Sequence, residues 1–163
     1  MRPIPDAAFD LVRLHETLHD PVPATAQLYE PYYDPVGFPT IGYGHLLSRE
    51  PWSPLDHWSA ITEEEADTLL DRDMAHAAHS VLRLIEVPLT DGQFAALTDF
   101  TFNVGPGNLQ LSTLRRVINR GDYAEAPNQF RRWVFARGVK LPGLVRRRDD
   151  EIRLWLGAVA REP

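Results

Sequence analysis

The run Asp34-Pro35-Val36-Gly37-Phe38-Pro39-Thr40-Ile41-Gly42-Tyr43-Gly44-His45 constrains this chain more than any other segment. Its prolines and glycines exclude a helix. The aromatic and β-branched residues from Tyr32 to Leu47 predict a small antiparallel sheet turning at Gly37, Gly42 and Gly44. That ribbon carries a carboxylate, a hydroxyl and an imidazole, and Glu16 stands eighteen residues before Asp34.

Around this ribbon the pattern is helical. Pro5 and Asp6 supply a start signal for a helix over residues 6–16, with Phe9, Leu11, Val12 and Leu14 as its apolar stripe. Residues 19–33, rich in proline and tyrosine, read as an extended loop. Thr62 and Glu65 form a capping box, and Ala66, Leu69, Leu70, Asp73, Ala77 and Val81 continue at helical spacing to about Ile85. Pro88 stops that long helix. Further helices are predicted from Thr90 to the stop at Gly105-Pro106-Gly107, over 112–119, over 123–133 and over 145–155. No repeat or linker divides the chain, so one domain is expected over 1–163. Its lobes fall at about 1–60 and 86–163, joined by a helix over about 62–85. The fold class is α+β: a small front lobe containing the sheet, a connecting helix and an all-helical back lobe.

Composition excludes several functions. With no cysteine, neither disulfides nor thiolate metal sites are available. His15/His19 and His76/His79 each offer two nitrogens, but neither pair has a third ligand at a recognisable spacing, so no metal and no cofactor are expected. No apolar run suits a signal peptide or the about 18–20 residues of a membrane span. The net charge of −6 is unevenly placed: residues 115–153 carry +6 and the remainder −12. Arg131, Arg132 and Arg146–Arg148 could meet phosphate, yet Asp149, Asp150 and Glu151 follow at once and no base-stacking aromatics interleave. Nucleic acid is therefore not the expected partner. Trp133 and Trp155 read as core residues, Trp52 and Trp58 as exposed ones.

Acid, carboxylate and hydroxyl together suit the attack of water on an acetal. Glycosidic cleavage needs an acid for the departing oxygen and a second group to manage water. Glu16 is the candidate acid and Asp34 the candidate ionised partner. Thr40 could hold a water between itself and Asp34, since a hydroxyl both donates and accepts. Asp20 or Glu30 could instead take the second carboxylate's place; only Asp34 keeps the spacing to Thr40.

Glu16 followed by Asp34-x-x-Gly37-x-x-Thr40-Ile41-Gly42-Tyr43-Gly44-His45 resembles the phage lysozyme (endolysin) family, glycoside hydrolase family 24. Ile61-Thr62-x-x-Glu65-Ala66, Phe102-Asn103-Val104-Gly105, Ser112-Thr113-Leu114 and Pro142-Gly143-Leu144-Val145-x-Arg147-Arg148 extend the likeness over about residues 9–156. The chain departs from the family pattern at Thr17, where glycine is usual, and in a Glu16-to-Asp34 connection about twice the usual length.

The resemblance implies a lysozyme-like fold. It also implies a muramidase cutting the β-1,4 bond between N-acetylmuramic acid and N-acetylglucosamine in peptidoglycan. Glu16 would be its general acid, and Asp34 and Thr40 would position water for an inverting hydrolysis. Leu46, Phe102, Thr113 and Gln129 would touch the glycan, and His45 would pair with Asp73 as structural support. The implied setting is host lysis by a monomer held in the host cytoplasm until a holin releases it to the wall. Two alternatives remain at this point: a lytic transglycosylase, needing only one acid/base glutamate, and a catalytically silent wall-binding protein.

Overall fold

The computed structural model describes residues 1–16 and 28–157. Asp20 and residues 17–27, most of the lengthened connection, lie outside the described residues. The chain divides into two compact units: residues 16–73, and residues 1–15 together with those from 74 onward.

In the first unit, β2 (Tyr32–Tyr33), β3 (Pro39–Ile41) and β4 (His45–Leu46) form an antiparallel sheet in that order. Its register pairs Tyr32 with Thr40, Tyr33 with Pro39, Thr40 with Leu46 and Ile41 with His45. This is the sheet expected from the glycine-punctuated run. A second, separate pairing joins β1 (Leu28–Tyr29) to β5 (Ile61–Thr62). Leu28 and Tyr29, inside the expected loop over 19–33, are therefore strand, and Tyr32 and Tyr33 belong to the sheet as the Tyr32-to-Leu47 run predicts.

Helix α2 (Glu63–Leu84) begins where its capping box predicts. Thr62 N–H donates to Glu65 Oε2 at 2.8 Å, and Glu65 N–H donates to Thr62 Oγ1 at 3.2 Å. The unit boundary falls within this helix, at residues 73 and 74.

The second unit is built round α3 (Asp91–Val104), whose residues from Phe94 to Thr101 are all buried. A helix buried on every side must satisfy its own polar groups. Thr98 and Thr101 do so by donating to the carbonyls of Phe94 (2.8 Å) and Leu97 (2.7 Å). Helices α1 (Asp6–His15) and α7 (Pro142–Trp155) pack on α3. Thus α1 joins the helical unit, whereas the sequence grouped it with residues 1–60; Ala8, Leu11 and Val12 are the face it buries. Phe100 meets both Phe130 and Trp133 edge-on, each with centroids 5.4 Å apart.

Four local features differ from expectation. Gly105, at φ +89°, does end α3, but it also starts α4 (Pro106–Leu111), because proline is preset for the first helical position. The helix expected over 123–133 shrinks to α6 (Ala126–Phe130), after α5 (Thr113–Asn119). Between α6 and α7 the chain makes an exposed hairpin, β6 (Phe135–Ala136) with β7 (Val139–Lys140), turning on Arg137 and Gly138. Helix α7 itself begins at Pro142, three residues earlier than expected.

Candidate active site

Glu16 is the residue immediately after α1. Its carboxyl rests on the turn between β3 and β4: a Cβ added at Gly44 would stand 3.6 Å from Glu16 Oε2. Gly44 has φ +88°, a backbone conformation that favours glycine, so the acid faces bare main chain there.

Asp34 opens the turn after β2. Its Oδ1 accepts from the N–H groups of Val36 and Phe38, each at 2.8 Å. Main-chain bonds from Asp34 N–H to Phe38 O (3.0 Å) and from Gly37 N–H to Asp34 O (2.9 Å) close the turn. One carboxylate oxygen is therefore engaged by the backbone. Oδ2 is the oxygen that can receive a proton from water.

Thr40 is buried in β3, and its hydroxyl donates to Phe38 O at 2.9 Å. With its only proton used there, Oγ1 can offer a neighbouring water lone pairs alone. This corrects the expectation of a hydroxyl that donates and accepts toward the water. Thr40 accepts.

Strand register fixes what lies beside these groups. Tyr32 and Leu46 both pair with Thr40, so all three project from one face of the sheet. Asp34, two residues beyond Tyr32, follows the same alternation. Burial, chiefly, pushes the Tyr32 phenol up to about 12, and the charges of Glu16 and Asp34 push the same way. Both carboxyl groups thus lie within electrostatic reach of one ring that is paired across strands with Thr40. Tyr32 stands beside the candidate carboxyls and is a residue that sequence reasoning did not single out. The spacing Tyr32-x-Asp34 in a strand was the signal that could have found it.

His45 pairs with Ile41, which places it on the opposite face of the sheet from Thr40. There its Nδ1 lies 2.6 Å from Asp73 Oδ2, and Arg72 donates to its Nε2 at 3.4 Å. That geometry requires Nδ1 to carry the proton. The pair joins β4 to the middle of α2. Glu30, the rival carboxylate, is exposed between β1 and β2.

The remaining candidates belong to the helical unit, apart from Leu46, which is 43% exposed on β4. Phe102 is half-buried on α3 with the Arg147 guanidinium 5.9 Å from its centroid. Thr113, at the start of α5, accepts from Arg116 at 2.8 Å. Gln129 donates to Glu125 Oε1 (2.8 Å) and accepts from Arg132 (3.1 Å). Thr113 and Gln129 come together in a pocket of ≈ 320 Å³, which Leu111, Ser112, Arg132 and Trp133 complete. Phe102 does not line it. Trp133, expected in the core, is half-buried and forms part of that wall; Trp155 is buried as expected.

A phage lysozyme family model matches residues 26–151. The chain belongs to the phage lysozyme family. It is 39% identical over 127 residues to the SAR-endolysin of Escherichia phage Mu, covering 78% of this chain and 71% of that one. Among solved structures it resembles the muramidase domain of SpmX from Asticaccaulis excentricus. There the identity is 31% and the TM-score 0.77, over 96% of this chain and 99% of that one. An endolysin from Escherichia coli O157:H7 phage FAHEc1 gives a TM-score of 0.79 at 28% identity, over 99% and 98% of the two chains.

As a phage lysozyme the chain is a glycoside hydrolase. What its sheet offers that chemistry is two acceptors, Asp34 Oδ2 and Thr40 Oγ1, and a separate carboxyl on Glu16. A water whose two protons are both held by acceptors keeps its lone pairs for attack.

Proposed function

We propose that this phage lysozyme is an endolysin-type muramidase, hydrolysing the β-1,4 bond between N-acetylmuramic acid and N-acetylglucosamine in peptidoglycan for host lysis. Glu16 gives its proton to the glycosidic oxygen as the C1–O bond breaks. A water held by Asp34 and Thr40 attacks C1 from the opposite side and passes a proton to Asp34, inverting the anomeric carbon. The observation that carries this reading is the grouping of both carboxyls round Tyr32, opposite Thr40 in the register. Family membership and the printed names of the relatives, endolysins and a muramidase domain, support it.

Leu46, Phe102, Thr113 and Gln129 contact the glycan strand in this proposal, and His45 with Asp73 holds the sheet to α2. The whole chain acts as one catalytic domain and as a monomer. Among the described residues no helix is long and apolar enough to cross a membrane. We assign the protein to the host cytoplasm until a holin releases it to the wall. Fractionation before lysis checks this: protein in the soluble fraction is expected, and protein sedimenting with membranes overturns the holin-dependent route.

Mass spectrometry of digested sacculi tests the reaction. Muropeptides ending in reducing N-acetylmuramic acid are expected. Ends converted throughout to 1,6-anhydromuramic acid would make the protein a lytic transglycosylase. Wall binding with no released ends would make it a silent binder.

A further inference from the structure

We propose that Trp52 is a positioning residue, bracing from behind the turn that aims Asp34; the inference rests on Asp34 holding the attacking water. Trp52 is 66% exposed, so burial of its ring does not explain its place. It also has φ +62°, a left-handed conformation that L side chains rarely adopt. A bulky residue is kept in such a conformation only where its surroundings dictate it, and such positions cluster at functional sites.

Those surroundings are the Asp34 turn. Trp52 N–H donates to Gly37 O at 2.8 Å. The indole lies directly on Gly37: a Cβ there would fall 2.5 Å from Trp52 Cε2, 2.6 Å from Cζ2 and 2.9 Å from Cδ2. No side chain fits under the ring, and Gly37 itself has φ +96°. On the other flank of Asp34, the Tyr33 ring sits 5.1 Å from the indole, and its hydroxyl donates to Ser53 O at 2.9 Å. Residues 52 and 53 are thereby stapled to residues 33 and 37, on either side of Asp34.

Gly37 lies between the two residues whose N–H groups hold Asp34 Oδ1, Val36 and Phe38. Fixing Gly37 fixes the direction of both donors, and hence the direction of Oδ2. Alternation places Tyr33 on the sheet face opposite Tyr32 and Thr40. The brace therefore works through the turn and does not touch the sugar.

Trp52→Gly is the informative variant, because glycine takes the positive φ without strain while the ring is lost. Wall-clearing kinetics should show kcat reduced about tenfold, since small misplacements of a reacting group are costly. The apparent KM should stay within roughly twofold, as expected when an interaction made only in the transition state is removed. Trp52→Phe, which keeps a ring over Gly37, should recover most of kcat. A Trp52→Gly protein with parental kcat overturns the proposal, as does a change confined to KM. If that variant does not fold, Tyr33→Phe serves: it removes only the tie to Ser53, and kcat should fall about threefold. An unchanged kcat there is equally contradictory. Glu16→Gln run alongside separates the two levels of inference: if it clears walls at the parental rate, the muramidase reading fails first and the brace falls with it.

Discussion

The direction of one hydroxyl proton constrains the proposed mechanism. Thr40 gives its hydrogen to Phe38 O, so in that mechanism the water would point one proton at Thr40 and the other at Asp34. Asp34 divides its work in a similar way, with Oδ1 supporting the turn. Asp34→Asn separates those tasks. The asparagine oxygen can still accept from Val36 and Phe38, but its NH₂ can no longer accept a proton from water. The variant should keep its fold by circular dichroism and lose activity by about 100-fold or more. Thr40→Val should also lose about 100-fold, with a stability cost of about 1 kcal/mol for the hydrogen bond to Phe38 O, read from denaturant unfolding. Glu16, Asp34 and Thr40 could be singled out as candidates in the sequence because the Asp34–Thr40 spacing is compact and chemically distinctive. Tyr32 was passed over because its spacing to Asp34 gains meaning only once the strand and its partner Thr40 are known.

At the scale of elements, the contact between α3 and α7 rests on charges that are fully buried. Arg147 makes a bidentate pair with Asp99, at 2.9 and 2.8 Å, and Arg148 reaches Glu151 Oε1 at 2.5 Å and Asn103 at 2.9 Å. Burial alone would raise Asp99, but the Arg147 guanidinium overrides it and holds that carboxyl below its ordinary range. Burial pushes Glu151 well above its ordinary range; Arg148 opposes this and the charge on Asp99 adds to it. Burial thus favours the protonated form of the Glu151 carboxyl in the folded state. A folded state that holds a proton the unfolded chain releases loses stability as pH rises above the unfolded value, here 4.5. Glu151→Gln removes that titration. Relative to the parent, the variant should gain in thermal stability between pH 4 and pH 7, and a difference constant over that range would contradict the assignment. In the sequence these arginines could have met phosphate, diluted by the acids that follow; only long-range partners, invisible to spacing, reveal Arg147 and Arg148 as interior. The capping box at Thr62 was readable because it is local. The shortened α6 and the hairpin after it were not, because Arg137 occupies a φ of +51° that residue preference argues against.

Across the whole molecule, the proposed acid, water-holding pair and brace (Glu16, Asp34, Thr40 and Trp52) all fall in the sheet-bearing unit, and the pocket at Thr113 and Gln129 falls in the helical unit. The central claim concerns how water is delivered, and the stereochemistry of the product reads that directly. Proton NMR of early digestion products, taken before mutarotation, measures the anomer released from the β-linked strand. Water held by Asp34 and Thr40 on the side away from the leaving group predicts that the α-anomer of N-acetylmuramic acid appears first. First appearance of the β-anomer would mean that Asp34 attacks the sugar itself through a covalent intermediate, and would contradict the account.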